Sequence, residues 1–587
     1  MNFALAFAQT LPLRPLRALA ALYWYVTGRK MRARNRLRIA ASQTFLAYRQ
    51  WIWQVERLSH VAATAQETAD TWQYKPSFSV VLSVPQGAGE RQVTASILSL
   101  QQQYHAPLEL IISTSNASLT HRVTCEDFPI RTVCKANDGD ALAGAIQDAR
   151  GDYIVPVQAG DRLSPAALFR YGEALQRERA AVLFGDEDAF NRAGGRSRPW
   201  FKPQWNAEMF LAQDYITSAC TLDTARVKDA LVTLSETVPP SFYALVLKLA
   251  DASPSGIVHV PHIVTHRFPQ ASPVTSAGAR MAALSDHLHD TGAELTAVED
   301  GSIHVRWPLP VSLPKVSIII PTRDRIDLLR PCVAGVLSAT DHENLEVIIV
   351  DNGSTERQTL TYLDQIGQDP RVEVIRYPRA YNYSAINNLA AKQATGEYLC
   401  LLNNDTEIIQ PDWLTELMRH AARPHVGAVG AKLLYPDGSI QHAGVVVGLG
   451  NAAGHAHRFL RRGKSGYFNR AHISHYVSAV TAACLVVEKR KYDAVGGLDE
   501  EGLAIAFNDV DLCLKLEAAG WKNVYTPHAI LIHHESKSRG KDISPEHIDR
   551  YRRELAVLQK RWNTENIIDP LHHPNLDRAQ ENFTIGL

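Results

Sequence analysis

The sequence predicts an α/β protein built from two copies of one domain behind a basic helical segment, and three observations carry that reading. From Phe78 onward short apolar runs alternate with helical stretches, the pattern of βαβ units and a mostly parallel sheet. The runs SVVLSVP (79–85), LELIIS (108–113) and GDYIVPV (151–157) return in the same order as VSIIIP (316–321), LEVIIV (345–350) and GEYLCLL (396–402). The spacing between paired landmarks only grows. It is 237 from Glu109 to Glu346, 245 from Gly151 to Gly396, and 267 from LVLKL (245–249) to LCLKL (512–516), as a duplication with insertions requires.

The elements divide as follows. Residues 1–75 read as helical and basic, with ten Lys/Arg and one acid, Glu56, in the first 57 positions. An apolar stretch at 16–26, with Tyr23, Trp24 and Tyr25, precedes a basic run at Arg29, Lys30, Arg32, Arg34, Arg36 and Arg38. That juxtaposition suits a helix lying on an anionic membrane surface, or a solvated helical hairpin packed on the next domain. The first α/β copy takes 76–306, the Pro-rich WPLPVSLP a linker at 307–315, the second copy 316–545, and a C-terminal helix and tail 546–587.

Bulk properties narrow the function. A chain of 587 residues exceeds one core. Its formal net charge of zero closes the basic-patch route to nucleic acid. Seven scattered cysteines without metal spacing read as reduced core residues in a cytosolic compartment. No signal peptide is evident, and no apolar stretch reaches the roughly 18 residues that span a bilayer.

In open parallel sheets ligands sit at the carboxyl ends of strands. In the second copy those ends deliver Thr322-Arg323-Asp324, Asp351-Asn352-Gly353-Ser354 and Asn403-Asn404-Asp405, and a later apolar run ends in His533-His534. Polar groups after one strand are ordinary turn chemistry. Their recurrence after several strands points to one site. The ordered series IIIPTRDR, VDNGS, AINN, LLNNDTE, GGLDEE, NDVDLC and IHHES resembles the inverting glycosyltransferases of family 2 in their bacterial polysaccharide-assembling branch.

The resemblance implies two tandem GT-A (nucleotide-diphospho-sugar transferase, Rossmann-like) domains and a transferase using a nucleotide-diphosphate sugar. It implies a divalent metal, Mn2+ or Mg2+, at the family's Asp-x-Asp motif, where Asn403 replaces the first acid and Asp405 keeps the second. His533 matches the late metal-ligating His, with His534 as contender. Asp509 matches the general base and Asn508 replaces the usual Glu; Asp511 competes, or caps a helix beginning at Leu512. Asp351 matches the nucleobase contact, Pro321, Thr322, Arg323 and Asp324 the nucleotide loop, and Asn388 an Asn near the nucleotide, with Asn403 and Asn404 also on the donor. The implied partners are the donor and a glycan or lipid-linked saccharide acceptor of a surface polysaccharide, at the inner face of the cytoplasmic membrane. The alternative is a non-catalytic glycan-binding or scaffold protein.

Two further stretches are ambiguous. The run Gly448 to Gly454 imitates a dinucleotide fingerprint but lacks the acid at a following strand end, and reads as a loop near the acceptor with His442, His455 or His457 at its rim. In the first copy the positions of Asp405, Asp509 and Asp351 fall on Gly160, Phe242 and Thr114. That copy is therefore either a degenerate domain, or one in which Asp186, Glu187 and Asp188 form a replacement metal site.

Overall fold

The computed structural model describes residues 3–586 apart from 29, 31–32, 35–36, 38–39, 42–44, 117–124, 192–193, 269–274 and 535–546. Arg29, Arg32, Arg36 and Arg38 of the basic run, and Glu535-Ser536 of the last motif, lie outside the described residues. The chain divides into two compact units. One is Met1–Asp290 with His573–Asp577 and Thr584–Leu587; the other is Thr291–His572 with Arg578–Phe583. The sequence placed this boundary later, between 306 and 316. The residues before the Pro-rich stretch instead form a hairpin of β10 (Glu294–Ala297) and β11 (Ile303–Arg306), and Arg306 bonds Glu416 at 3.2 Å within the second unit.

The first unit holds β1 (Phe78–Val84), β2 (Glu109–Thr114), β3 (Ile130–Cys134), β4 (Tyr153–Gln158), β5 (Arg162–Leu163), β6 (Val182–Phe190), β7 (Arg196–Trp200), β8 (Cys220–Asp223) and β9 (Ile257–Arg267). Its sheet runs β3-β2-β1-β4-β8-β6-β9-β5, with β7 on β6. The second unit holds β12 (Val316–Thr322), β13 (Leu345–Asp351), β14 (Val372–Arg376), β15 (Tyr398–Leu402), β16 (Thr406–Ile408), β17 (Val426–Leu434), β22 (Cys484–Glu488) and β23 (Lys522–His533). Its sheet runs β14-β13-β12-β15-β22-β17-β23-β16. The two orders correspond strand for strand, and in each the fifth strand alone of the first seven runs antiparallel to its neighbours. The duplication is therefore one of topology as well as of sequence. The antiparallel insertion makes both sheets mixed.

The apolar runs are continuous because both faces of these strands are covered. Successive side chains alternate between two cores. Ile319, Ile348, Val350, Leu399 and Leu401 enter one, and Ile318, Ile320, Val347, Ile349, Cys400 and Leu402 the other.

A glutamate, buried in the first unit and partly buried in the second, ties the first strands of each sheet together. In the second unit Glu346 accepts from Ser317 Oγ, from the Thr395 amide at 2.7 Å and from Lys315 Nζ at 2.7 Å. Burial raises its pKa, but these bonds outweigh burial and hold the carboxyl at about 2. Ser317 Oγ also receives the Gly396 amide at 2.9 Å. In the first unit Glu109, Ser79, and the amides of Arg150 and Gly151 repeat the arrangement. The approach is close enough to exclude a side chain: a Cβ on Gly396 would lie 2.7 Å from the Ser317 nitrogen, and one on Gly151 would lie 2.6 Å from that of Ser79.

Within the first unit the N-terminal segment is partly anchored. Tyr48 donates to Asp188, and Glu56 pairs with Arg196 at 2.6 Å. Helix Pro15–Val26 buries Ala18 and Ala21 against Leu37 and Ala41, but leaves Leu16, Leu19, Tyr23 and Val26 exposed in one stripe. Among the described residues no helix is long and apolar enough to cross a membrane.

Candidate active site

Strand directions place the chemistry. β12, β13 and β15 are mutually parallel, β22 opposes β15, and β17 and β23 again run with β12. The carboxyl ends of β12, β15, β17 and β23 therefore open on one edge, together with residues 481–483, which lead into β22. That edge is a cleft of about 1420 Å3. Its lining includes Pro321, Thr322, Arg323, Asp324, Asn403, Asn404, Asp405, Asp509 and His533. The structure thus brings together nine of the residues singled out in the sequence.

Asp405 and His533 meet at the floor, with Asp405 Oδ1 3.0 Å from His533 Nε2. Burial raises the Asp405 pKa, yet the His533 contact wins and holds it below the usual value. His533 Nδ1 lies 2.8 Å from Gln441 Oε1, an atom that can only accept, so the ring carries a proton there. The other ring nitrogen, Nε2, is the one that faces the carboxylate. Asn403 Nδ2 lies 3.2 Å from the same Nε2. A carboxylate oxygen and an imidazole nitrogen that meet at the cleft are a donor set suited to Mn2+ or Mg2+ completed by diphosphate and water. The residues present fit the metal. His534 does not share the site: its Nε2 faces Glu407 at 3.2 Å.

Asp509 sits in the first turn of helix Asn508–Ala518, four residues earlier than the sequence placed the helix start. The chain enters this helix through Phe507 at φ +62°, a left-handed conformation costing roughly 1–2 kcal/mol in a non-glycine residue. Asp509 accepts the Ala482 amide at 3.1 Å. Desolvation, opposed by this amide and the Thr481 side chain, pushes its pKa up. Asp511 is fully buried, bonded to Arg561 at 2.8 Å, Trp562 Nε1 at 2.8 Å and Lys515 at 3.2 Å, and does not line the cleft.

Three of the expected donor residues have partners within the protein. Asp351 is buried outside the cleft lining, its carboxylate held by Arg376 and by the Ser354 amide at 2.9 Å, and it orders the loop after β13. Asn388 bonds the Leu498 carbonyl and Glu500 at 2.8 Å each and receives the Tyr492 hydroxyl, which makes it a tether for the GGLDEE loop. Asp324 lines the cleft but spends Oδ1 on the amides of Thr355 and Glu356 at 2.7 and 2.9 Å. Of the three loop histidines only His455 lines the cleft; His442 and His457 are buried.

Gln441, Thr481 and Ala482 were missed, as was an aromatic wall containing Tyr435 and Phe459. None belongs to a motif; only the fold brings them to the edge.

In the first unit the corresponding acids are engaged with other side chains. Asp161, beside Gly160, is buried against Arg267 at 3.1 Å and the Phe268 amide, and burial pushes it up to about 6. The acids 186–188 face different partners. Asp186 faces His259 at 3.0 Å and His573 at 2.8 Å, Glu187 pairs with Lys202 at 3.0 Å, and Asp188 pairs with Arg196 and His266 at 2.6 Å each. Asp186, His259 and His573 alone form a cluster of metal-ligand type there, among the described residues.

Residues 317–476 match the sequence model of the family described as Glycosyl transferase family 2. That stretch of the second unit, from β12 to β21, is what is similar to the family. Among curated relatives, the chain is 37% identical over 94% of its length to an uncharacterized protein, y4gI, of Sinorhizobium fredii, covering 63% of that protein. It is 35% identical over 84% of its length to the O-antigen biosynthesis protein RfbC of Myxococcus xanthus, covering 40% of it. Over 35% of its length it is 27% identical to an N-acetylglucosaminyl-diphospho-decaprenol L-rhamnosyltransferase of Mycobacterium tuberculosis, covering 72% of it. The chain thus spans less than two thirds of the first two relatives.

Proposed function

We propose that the chain transfers a sugar from a nucleotide-diphosphate donor to a saccharide acceptor of a bacterial surface polysaccharide, with inversion at the anomeric carbon. The observation that carries this reading is the convergence of Asp405, His533 and Asp509 in one cleft of the family 2 domain. Asp405 and His533 would hold the divalent cation, with Asn403 beside them. When bound, such a cation neutralises charge on the departing diphosphate. Pro321 to Arg323 and Asn404 cradle the nucleotide, and Asn404 is fixed by its bond to Thr322 at 3.0 Å. Asp509 takes the proton of the acceptor hydroxyl as that oxygen attacks. Asp324, Glu356 and Asp405 also line the cleft. With Asp405 on the cation and Asp324 bonded to the Thr355 and Glu356 amides, Asp509 serves as the base of one in-line displacement. The name of the Myxococcus relative supports a polysaccharide product, and that of the Mycobacterium relative a lipid-diphosphate acceptor.

Purified chain offered a panel of nucleotide sugars with Mn2+ should hydrolyse or transfer from at least one, and Asp405→Ala should lose metal-dependent binding of the nucleoside diphosphate. A wild type inert toward the whole panel sinks the proposal.

We also propose a membrane-proximal location, supported by the exposed stripe Leu16, Leu19, Tyr23 and Val26 near Arg14, Arg17 and Lys30 in the sequence. Binding to phosphatidylserine vesicles should fall in Leu16→Asp/Tyr23→Asp and in high salt. Equal sedimentation of variant and wild type with vesicles would remove that part of the reading.

A further inference from the structure

The donor half of the cleft is built by β12 and β15 and the loops after them. On the far side of β22 stands β17, and just beyond its carboxyl end the chain places Tyr435. Tyr435 stacks on Phe459, ring centroids 5.4 Å apart and planes 8° from parallel. Both rings line the cleft that holds Asp405 and Asp509.

Phe459 is not there to fill a core, being 65% exposed. It is also held at φ +64°, a backbone region that bulky residues avoid. Surrounding bonds enforce the conformation: the Phe459 amide donates to Ile440 O at 2.8 Å, and the Ile440 amide donates to Leu460 O at 2.7 Å. A strained backbone that keeps an exposed aromatic ring on the cleft wall, and is held so by its neighbours, marks a functional position. Arg458 braces the pair. Its guanidinium lies 5.0 Å from the Phe459 ring centroid and 5.9 Å from that of Tyr435, and its Nε donates to the Tyr435 hydroxyl at 2.8 Å.

An exposed aromatic ring on the wall of the cleft that also holds Asp509 suits one ligand chemistry in particular. A pyranose carries an apolar face of C–H groups, weakly positive at hydrogen, which complements the negative face of an aromatic ring. Its rim of hydroxyls stays free for polar partners. We propose that Phe459, backed by Tyr435 and braced by Arg458, is the acceptor-saccharide subsite, stacking a sugar ring of the acceptor. This rests on the transferase reading above and assigns the acceptor a wall of the cleft distinct from the donor loops.

The test uses the full chain with Mn2+ and a nucleoside diphosphate present, and methyl glycosides of common hexoses as probes in saturation-transfer NMR. Saturation should reach ring C–H protons of at least one glycoside in the wild type, and affinity should fall about tenfold in Phe459→Ala. Phe459→Trp should restore it. Tyr435→Ala should weaken it as well, which guards against a purely local misfolding of one variant. Nucleotide binding by calorimetry should be unchanged in all three. Equal saccharide affinity in Phe459→Ala and wild type overturns the subsite, as does a wild type that binds nucleotide but no saccharide. Failure of the wild type to bind nucleoside diphosphate would instead overturn the transferase reading, and is seen separately in the calorimetry.

Discussion

At the scale of single residues, Asp509 is useful as a base only when ionised, and the cleft disfavours that form. Its pKa stands above the ordinary Asp value of 3.8 because desolvation outweighs the Ala482 amide and the Thr481 side chain. The reactive state is therefore lost as pH falls through the raised value, so kcat/KM should decline on the acid side with a midpoint above that of a solvent-exposed aspartate. Asp509→Asn should abolish turnover, by at least about a hundredfold, while leaving nucleotide affinity nearly intact. Turnover unchanged in that variant would remove Asp509 from the mechanism. Residue roles were only partly legible in the sequence. Asp405 and His533 follow strand ends whose direction brings them to the cleft, and motif order alone pointed to them. Asp351 and Asn388 are polar residues in equally suggestive positions, but Arg376 and the GGLDEE loop claim them from directions that the sequence does not display. Gln441 fixes the proton of His533 from 92 positions away, which no local pattern announces.

At the scale of elements, the glutamate latch explains why Leu-Glu and Gly recur as landmarks of the duplication. A strand-end Gly must let the next strand pass within van der Waals contact, and the amide it contributes completes the Ser–Glu bonding. Gly396→Ala would place a Cβ 2.6 Å from Ser317 Oγ and 2.8 Å from the Lys315 carbonyl. Backbone atoms cannot step aside as a flexible side chain can, so the variant should lose roughly 1–3 kcal/mol, read as a lower urea midpoint at unchanged m-value. An unshifted midpoint would show that the strands separate without cost. The apolar strands were legible because they are covered on both faces and lack polar interruptions. β3 and β14 were not: IRTVC and VEVIR mix charge with apolar residues, as expected of strands toward the sheet margin. Nor was the antiparallel β22 foreseen, since strand direction depends on tertiary pairing and leaves no periodic trace.

At the scale of the whole molecule, two sheets of one topology carry unequal chemistry. In the first unit Asp161 after β4 and the three acids within β6 are engaged by Arg196, Lys202, Arg267 and three histidines. In the second unit Asp405 and Asp509 face a cleft. Calorimetry with Mn2+ and a nucleoside diphosphate should accordingly give a single binding site per chain, abolished by Asp405→Ala; two equivalent sites would show that the first unit has kept a donor pocket.

The antiparallel β22 has one more consequence. It is hydrogen-bonded directly to β17, Ala428 facing Val487, so the chain that leaves β17 and returns at β22 departs and arrives at adjacent points on the same edge. Everything between, including Tyr435, Gln441 and Phe459, is a cassette with closely spaced ends. Exchanging the outer part of that cassette among related chains, with Gln441 retained, is thus a route to chimeras whose acceptor preference changes while the donor preference stays.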